Sequence, residues 1–230
     1  MRYIKLFMAL LMVIVASGCT HKKANDATVI METTAGTITL KLYDETPVHR
    51  DNFIELAGEC YFDSLLFHRV ISGFMIQGGD PDSKYAPAGV RLGEGGPDYR
   101  LNAEIRTPEI FHKRGALAAA REGDDVNPAK MSSPSQFYIV YGKVYTPREL
   151  ESLRLKLQER TGREIKFTKE QIDTYTTIGG VPFLDGEYTV FGEVLEGLDV
   201  VEKIQNVECD EYDRPINDVR ILNVRVETNK

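Results

Sequence analysis

The chain has 230 residues, 42% of them hydrophobic, and a formal net charge of -7. That is the composition of a folded globular protein, long enough for one full core. The acidic balance excludes a surface built for non-specific nucleic-acid binding, which needs an excess of Lys and Arg.

The elements follow in chain order. Arg2 and Lys5 precede an apolar run from Leu6 to Ala16, too short to span a bilayer, and small residues then lead to Cys19. This is the architecture of a secretory signal. The ending Ala16-Ser17-Gly18-Cys19 resembles the lipobox of bacterial lipoproteins, in which the cysteine is lipidated and becomes the mature N-terminus. Ala16 departs from the leucine usual there. The expectation is a signal over 1–18, lipidation at Cys19, a flexible polar tether over 19–28 and a folded domain over 29–230. The domain would then be anchored in the cell envelope by lipid alone, facing the periplasm. Thr20 replaces the aspartate associated with inner-membrane retention, which favours the outer membrane. Cys60 and Cys209 could pair in an oxidising compartment, since sequence does not fix their distance, but two free, buried thiols are the preferred reading. The protein is expected to be a monomer.

Residues 28–44, TVIMETTAGTITLKLYD, read as two strands around Thr34-Ala35-Gly36, because Ile38, Leu40 and Leu42 alternate with polar residues. A helix follows, with Thr46 as N-cap, Pro47 at the first helical position and Gly58 as the stop. Residues 67–80, FHRVISGFMIQGGD, read as a hairpin turning at Ser72-Gly73. After a Gly/Pro-rich loop, GALAAAR (115–121) and SQFYIVYG (135–142) read as core strands. YTVFGEVLEG (188–197) reads as a paired strand element, 197–204 as a short helix and VRILNVRVE (219–227) as a last strand. Many short strands with two flanking helices predict a mainly β fold, a closed antiparallel barrel of about eight strands capped by two helices.

Residues 143–180 break this pattern. Thr146-Pro147-Arg148-Glu149 has the form of a capping box, Leu150, Leu153 and Leu157 recur on one face, and Thr161-Gly162 stops the helix. Thr168 with Gln171 starts a second helix, and Phe167 with Ile172 would form its hydrophobic staple. The segment is read as an inserted helical hairpin, a solvated appendage rather than a partner-binding arm, although docking to a protein partner stays open.

Several motifs carry no chemistry. Gly93-Glu94-Gly95-Gly96 is followed by Pro97 and opens no helix, so it is no phosphate loop. His21, His49, His68 and His112 lack zinc-ligand spacing, and no serine stands in a nucleophile elbow. Neither a metal nor a cofactor is expected.

The hairpin poses a question: it is strongly apolar, yet carries Arg69, which never loses its charge, and Gln77. FHRVISGFMIQGGD resembles the signature of the cyclophilins, the peptidyl-prolyl cis/trans isomerases. A second block of that family resembles GALAAAR with SSPSQFYI, and a third FLDGEYTVFGEV (183–194), all in the family's order. The resemblance runs from about Val29 to Val226 around the insertion. It implies the cyclophilin barrel, proline-containing polypeptides as clients and no cofactor. It assigns Arg69 as the catalytic arginine, Gln77 as its support, and Phe74, Met75, Tyr138, Phe183 and Leu184 to the proline pocket. The backbone clamp falls at Arg121, with Ala120 and Gln136 alongside. Phe183 and Tyr188 stand where many eukaryotic members carry tryptophan and histidine. Phenylalanine lacks the indole donor on which tight cyclosporin binding leans. His68 reads as support for the strand or the pocket wall rather than as a catalyst.

The chemistry suits the residues. Amide resonance sets a rotation barrier of about 18–20 kcal/mol, although the two X-Pro isomers lie close in energy. In the twisted transition state the prolyl nitrogen regains its lone pair. A fixed donor aimed at it binds that state better than either planar one. The competing reading is a non-catalytic or chaperone-like module that binds proline peptides on the same barrel.

Overall fold

The computed structural model describes residues 27–227. The expected signal, Cys19 and the tether up to residue 26 lie outside the described residues. Thr28 already belongs to the first strand.

Eight strands form one antiparallel sheet: β1 (Thr28–Thr33), β2 (Gly36–Leu42), β3 (Arg69–Ile71), β4 (Met75–Gly78), β5 (Ala116–Ala119), β6 (Phe137–Val140), β7 (Val190–Glu196) and β8 (Ile221–Glu227), in the order β3-β4-β6-β5-β7-β2-β1-β8. The pairing of Val29 with Leu40 and Met31 with Ile38 turns the apolar set of both strands inward. The sheet curls until the residues preceding its two outermost strands meet. Phe67 N–H donates to Val219 O at 2.9 Å, Ile221 N–H to Leu65 O at 2.8 Å, and Leu66 bridges Arg220. Closure is thus made by a short seam and not by a continuous ladder. The expected strand pair over 188–197 is the single strand β7, held between β2 and β5. The segment cannot fold back on itself because both its edges are taken.

Two helices flank the barrel, α1 (Pro47–Gly58) and α4, the last helix (Leu198–Gln205). Phe53 of α1 stacks on Phe62 at 4.7 Å and meets Phe137 edge-on at 5.7 Å. Each such burial stabilises the fold by about 1.5–3 kcal/mol. Gly58 is the last helical residue, and the cap lies at Glu59.

The insertion forms α2 (Pro147–Thr161) and α3 (Lys169–Thr177). Both expected capping boxes are present, and Gly162 takes the left-handed conformation that ends α2. Of the two residues expected to form the staple, Ile172 is largely exposed, and Phe167 packs edge-on against Tyr175. The hairpin is not a solvated appendage. Tyr175 is fully buried and builds a small core with Phe111, Tyr145 and Leu150. Its boundaries match those read from the sequence: Lys143 N–H donates to Gly180 O at 3.3 Å and Gly180 N–H to Lys143 O at 3.0 Å.

Cys60 and Cys209 are both free. Cys60 is exposed rather than buried, because it sits in the turn after α1 with φ at 56°. Cys209 is half-buried, and burial raises its thiol pKa.

Candidate active site

The β3–β4 hairpin places Arg69 directly opposite Gln77. Val70 and Ile76 point into the barrel core, so the period of two turns Arg69 and Gln77 to the outer face. There Arg69 Nη1 donates to Gln77 Oε1 at 3.3 Å. Its Nε lies 3.6 Å from the Asp213 carboxylate, on a loop far along the chain. Gln77 Nε2 donates to Gln136 Oε1 at 3.0 Å, and Gln136 Nε2 donates to the carbonyls of Gly93 and Gly95. The amide of Gln77 is therefore fixed from behind, which leaves its oxygen facing the guanidinium.

Arg69, Gln77 and seven further residues line one cavity of about 120 Å³: Phe74, Met75, Ala120, Arg121, Tyr138, Leu184 and Tyr188. Every one of them is a residue expected from the sequence. The other two stand just behind the lining. Gln136 holds Gln77, and the Phe183 ring packs on Phe74 at 5.7 Å. Phe74, Met75, Ala120 and Leu184 give the cavity an apolar side, while Gln77 and two arginines, Arg69 and Arg121, give it a polar one. Of the Arg69 side chain, 44% is exposed.

Arg121 departs from a simple clamp. Its side chain is buried against the Tyr188 ring, 4.6 Å from the centroid, with Nε donating to Glu187 O at 2.8 Å. Its main-chain N–H and C=O carry no hydrogen bond among the described residues. The side chain thus stiffens the rim while the peptide groups stay available.

Sequence reasoning missed what lies beneath the pocket. The buried Asp185 carboxylate collects four donors. Oδ2 accepts from Tyr175 Oη at 2.6 Å and Gln171 Nε2 at 3.0 Å, both on α3. Oδ1 accepts from the N–H of His112 at 2.9 Å and from its Nδ1 at 3.0 Å. A carboxylate only accepts, so Nδ1 carries a proton, and Nε2 shares a hydrogen bond with Tyr138 Oη at 3.0 Å. Burial raises the Tyr138 hydroxyl well above its ordinary pKa, so it stays neutral. A line of hydrogen bonds thus runs from the insertion to a tyrosine of the cavity wall. Asp185 was visible only as part of FLDGEY. His112 and Tyr175 had no local signal, because their meaning lies in partners 73 and 10 residues away. Asp213 was equally silent.

His68 is buried beside this site, and neither ring nitrogen has a hydrogen-bond partner among the described residues. Burial, helped by the charges of Arg69 and Arg214 against the pull of Asp80, lowers its pKa to about 4. The ring does not line the cavity.

The family profile described as "Cyclophilin type peptidyl-prolyl cis-trans isomerase/CLD" matches residues 28–226. The chain belongs to the cyclophilin-type peptidyl-prolyl isomerases. Relatives in Staphylococcus epidermidis and Staphylococcus aureus, provisionally named peptidyl-prolyl cis-trans isomerases, are each 33% identical. They align over 206 and 201 residues, 88% and 86% of this chain and 93% and 91% of theirs. The fold agrees with a crystal structure of a Cryptosporidium parvum cyclophilin. The TM-score is 0.62 at 24% identity, over 90% of this chain and 99% of that one. A second crystal structure of that parasite protein was obtained in the presence of the dipeptide Ala-Pro and gives a TM-score of 0.61 at 24% identity, over 88% and 99% of the two chains. As a cyclophilin, this chain is an isomerase on a curled eight-stranded sheet.

Proposed function

We propose that this cyclophilin accelerates rotation about X-Pro bonds in exported or unfolded proteins, with Arg69 as the group that stabilises the twisted amide. The observation carrying this reading is the guanidinium held by Gln77 and Asp213 at a compact cavity one side of which is apolar, formed by Phe74, Met75, Ala120 and Leu184. A proline ring in that cavity presents its nitrogen to the rim. Arg69 then donates to the returning lone pair, and the open peptide groups of Arg121 pair with the client backbone. A five-decade acceleration needs about 7 kcal/mol, within reach of one charged hydrogen bond, a dry pocket and a clamped chain. Ala-Pro, present with the Cryptosporidium parvum cyclophilin, is the smallest ligand of the class expected here.

Arg69→Ala tests the mechanism. Catalysed isomerisation of a short proline peptide should fall about a hundredfold, equivalent to about 2.7 kcal/mol, with the circular dichroism unchanged. Near-wild-type turnover would refute the role of Arg69. A wild-type chain that binds the peptide without turnover would establish the binding-module reading instead.

The envelope setting rests on the segment before Cys19 and is proposed with it. The wild-type chain should take up labelled fatty acid and Cys19→Ser should not. An unlabelled wild type would replace the anchor with a plain secreted form.

A further inference from the structure

A second groove, of about 570 Å³, adjoins the proline cavity and shares Arg121, Leu184 and Tyr188 with it. Its two sides come from different parts of the chain. The barrel contributes the rings of Phe183 and Tyr188 and the side chain of Leu184. The insertion contributes Arg160 and Thr161 at the end of α2 and Arg163 just beyond it.

The charges of this groove do not cancel. Its acids are Asp124 and Glu187, and both are already engaged. Asp124 lies 2.6 Å from Arg121 Nη1, and Glu187 pairs with Lys130 and, at 3.5 Å, with Arg121. Arg160 and Arg163 have no ion-pair partner among the described residues. The neighbouring Glu164 is taken by Lys166 at 2.9 Å, and Glu159 does not line the groove. The helix dipole favours a cation at Arg160, in the last turn of α2. It gives no reason for Arg163, one residue past the left-handed Gly162.

Two unpaired guanidiniums therefore face a groove that continues the proline cavity, on a chain whose net charge is -7. We infer that this groove is a subsite for a carboxylate side chain of the client, a few residues from the proline, and that the insertion selects acidic client segments. The inference rests on the isomerase reading above. An acidic segment is repelled by the chain's overall charge and attracted at this place, which fixes the register in which the polypeptide crosses the pocket. The apolar wall of Phe183 and Leu184 receives the client backbone between the two anchors. Guanidinium groups suit the task because they stay charged and can engage a carboxylate in two parallel hydrogen bonds.

The test uses the full chain and two peptides built on Ala-Ala-Pro-Phe. One carries Glu, the other Gln, at a position two to four residues from the proline. Exchange NMR reads isomerisation directly, without a coupled protease that would impose its own preference. At low salt the wild type should favour the Glu peptide in kcat/KM by about fivefold, equivalent to about 1 kcal/mol. The preference should fall toward one as salt screens it, and should be lost in Arg160→Gln/Arg163→Gln. Turnover of the Gln peptide should be the same in both proteins, since neither arginine lines the proline cavity. Equal rates on both peptides at every Glu position, or a preference that survives the double substitution, would overturn the inference. If neither peptide is isomerised, the isomerase reading fails by itself. The ratio of dissociation constants from the same titrations then decides the subsite, with a ratio near one overturning it.

Discussion

α1 and α2 begin with the same two residues and are held in opposite ways. Each starts Thr-Pro, at Thr46-Pro47 and Thr146-Pro147. In α2 the third helical residue is Glu149, and it closes a capping box with Thr146. In α1 the third residue is His49, and Thr46 makes no side-chain cap. The orphan N–H groups of Val48 and His49 instead donate to Glu104, at 3.2 and 3.0 Å, and the His49 ring lies 2.7 Å from the same carboxylate. Glu104 is 55 residues from His49 and is itself fixed by its N–H donating to Thr189 Oγ1. One helix carries its start in its own first turn, while the other borrows it from the loop beside the barrel. The borrowed start ties α1 to Thr189, the residue just before β7, which a local box cannot do.

Removing the borrowed carboxylate should cost the most. Glu104→Ala leaves two backbone donors and a buried imidazole unpaired, and should lower unfolding free energy by about 3 kcal/mol. Urea denaturation measures it, and a loss under about 1 kcal/mol would mean that water replaces the latch.

Acid should reach the two starts at different points. Burial lowers the His49 pKa from 6.5, although Glu104 pulls the other way. Below pH 6.5 the unfolded chain therefore binds the proton more readily than the native one, and stability is lost as pH falls from there. Glu149 is lowered to about 2, first by the Thr146 backbone N–H, then by its hydroxyl and by Lys143. Its contribution is intact above about pH 4.5 and fades toward pH 2. Hydrogen exchange at about pH 5.5 should show α1 loosening while α2 stays protected. Simultaneous loosening would erase the distinction.

Tyr175→Phe breaks the bond by which the insertion grips Asp185, and should cost about 1–2 kcal/mol. Hydrogen exchange should place the loss in α3 and around His112. A loss confined to the distant β1–β2 hairpin would contradict the grip. The smallest effect is expected at the self-sufficient start. Thr146→Ala should cost about 1 kcal/mol, with peptide turnover unchanged. A loss as large as that of Glu104→Ala would show that the box supports more than its own helix.

The same contrast explains what could be read beforehand. Whatever is encoded within a few residues was legible: the alternation of β2, the boxes at Thr146 and Thr168, the limits of the insertion, and the arginine opposite glutamine across one hairpin. The pocket lining was legible because three ordered blocks resemble a known family, not because Tyr138 or Leu184 announces a role. What escaped depends on contacts between distant segments. Asp213 reaches Arg69 from late in the chain, and Asp185 joins α3 to His112. The packing of Phe167 on Tyr175 was likewise not read from the sequence, since no local motif joins the two.

The paired ends of the insertion have one more consequence. A side chain at Gly180 would strike His112 O at 2.3 Å, and one at Gly179 would strike Lys143 O at 2.6 Å. Both glycines hold positive φ, at 151° and 95°. Seen from the barrel, then, the segment between them and Lys143 is a cassette plugged into a port of fixed width. Cassettes of other lengths could enter the same port without disturbing the sheet. A replacement would need only to close on Lys143 and Gly180 and bring two donors for Asp185, so this is the place to graft a new surface beside the cavity that Arg69 lines.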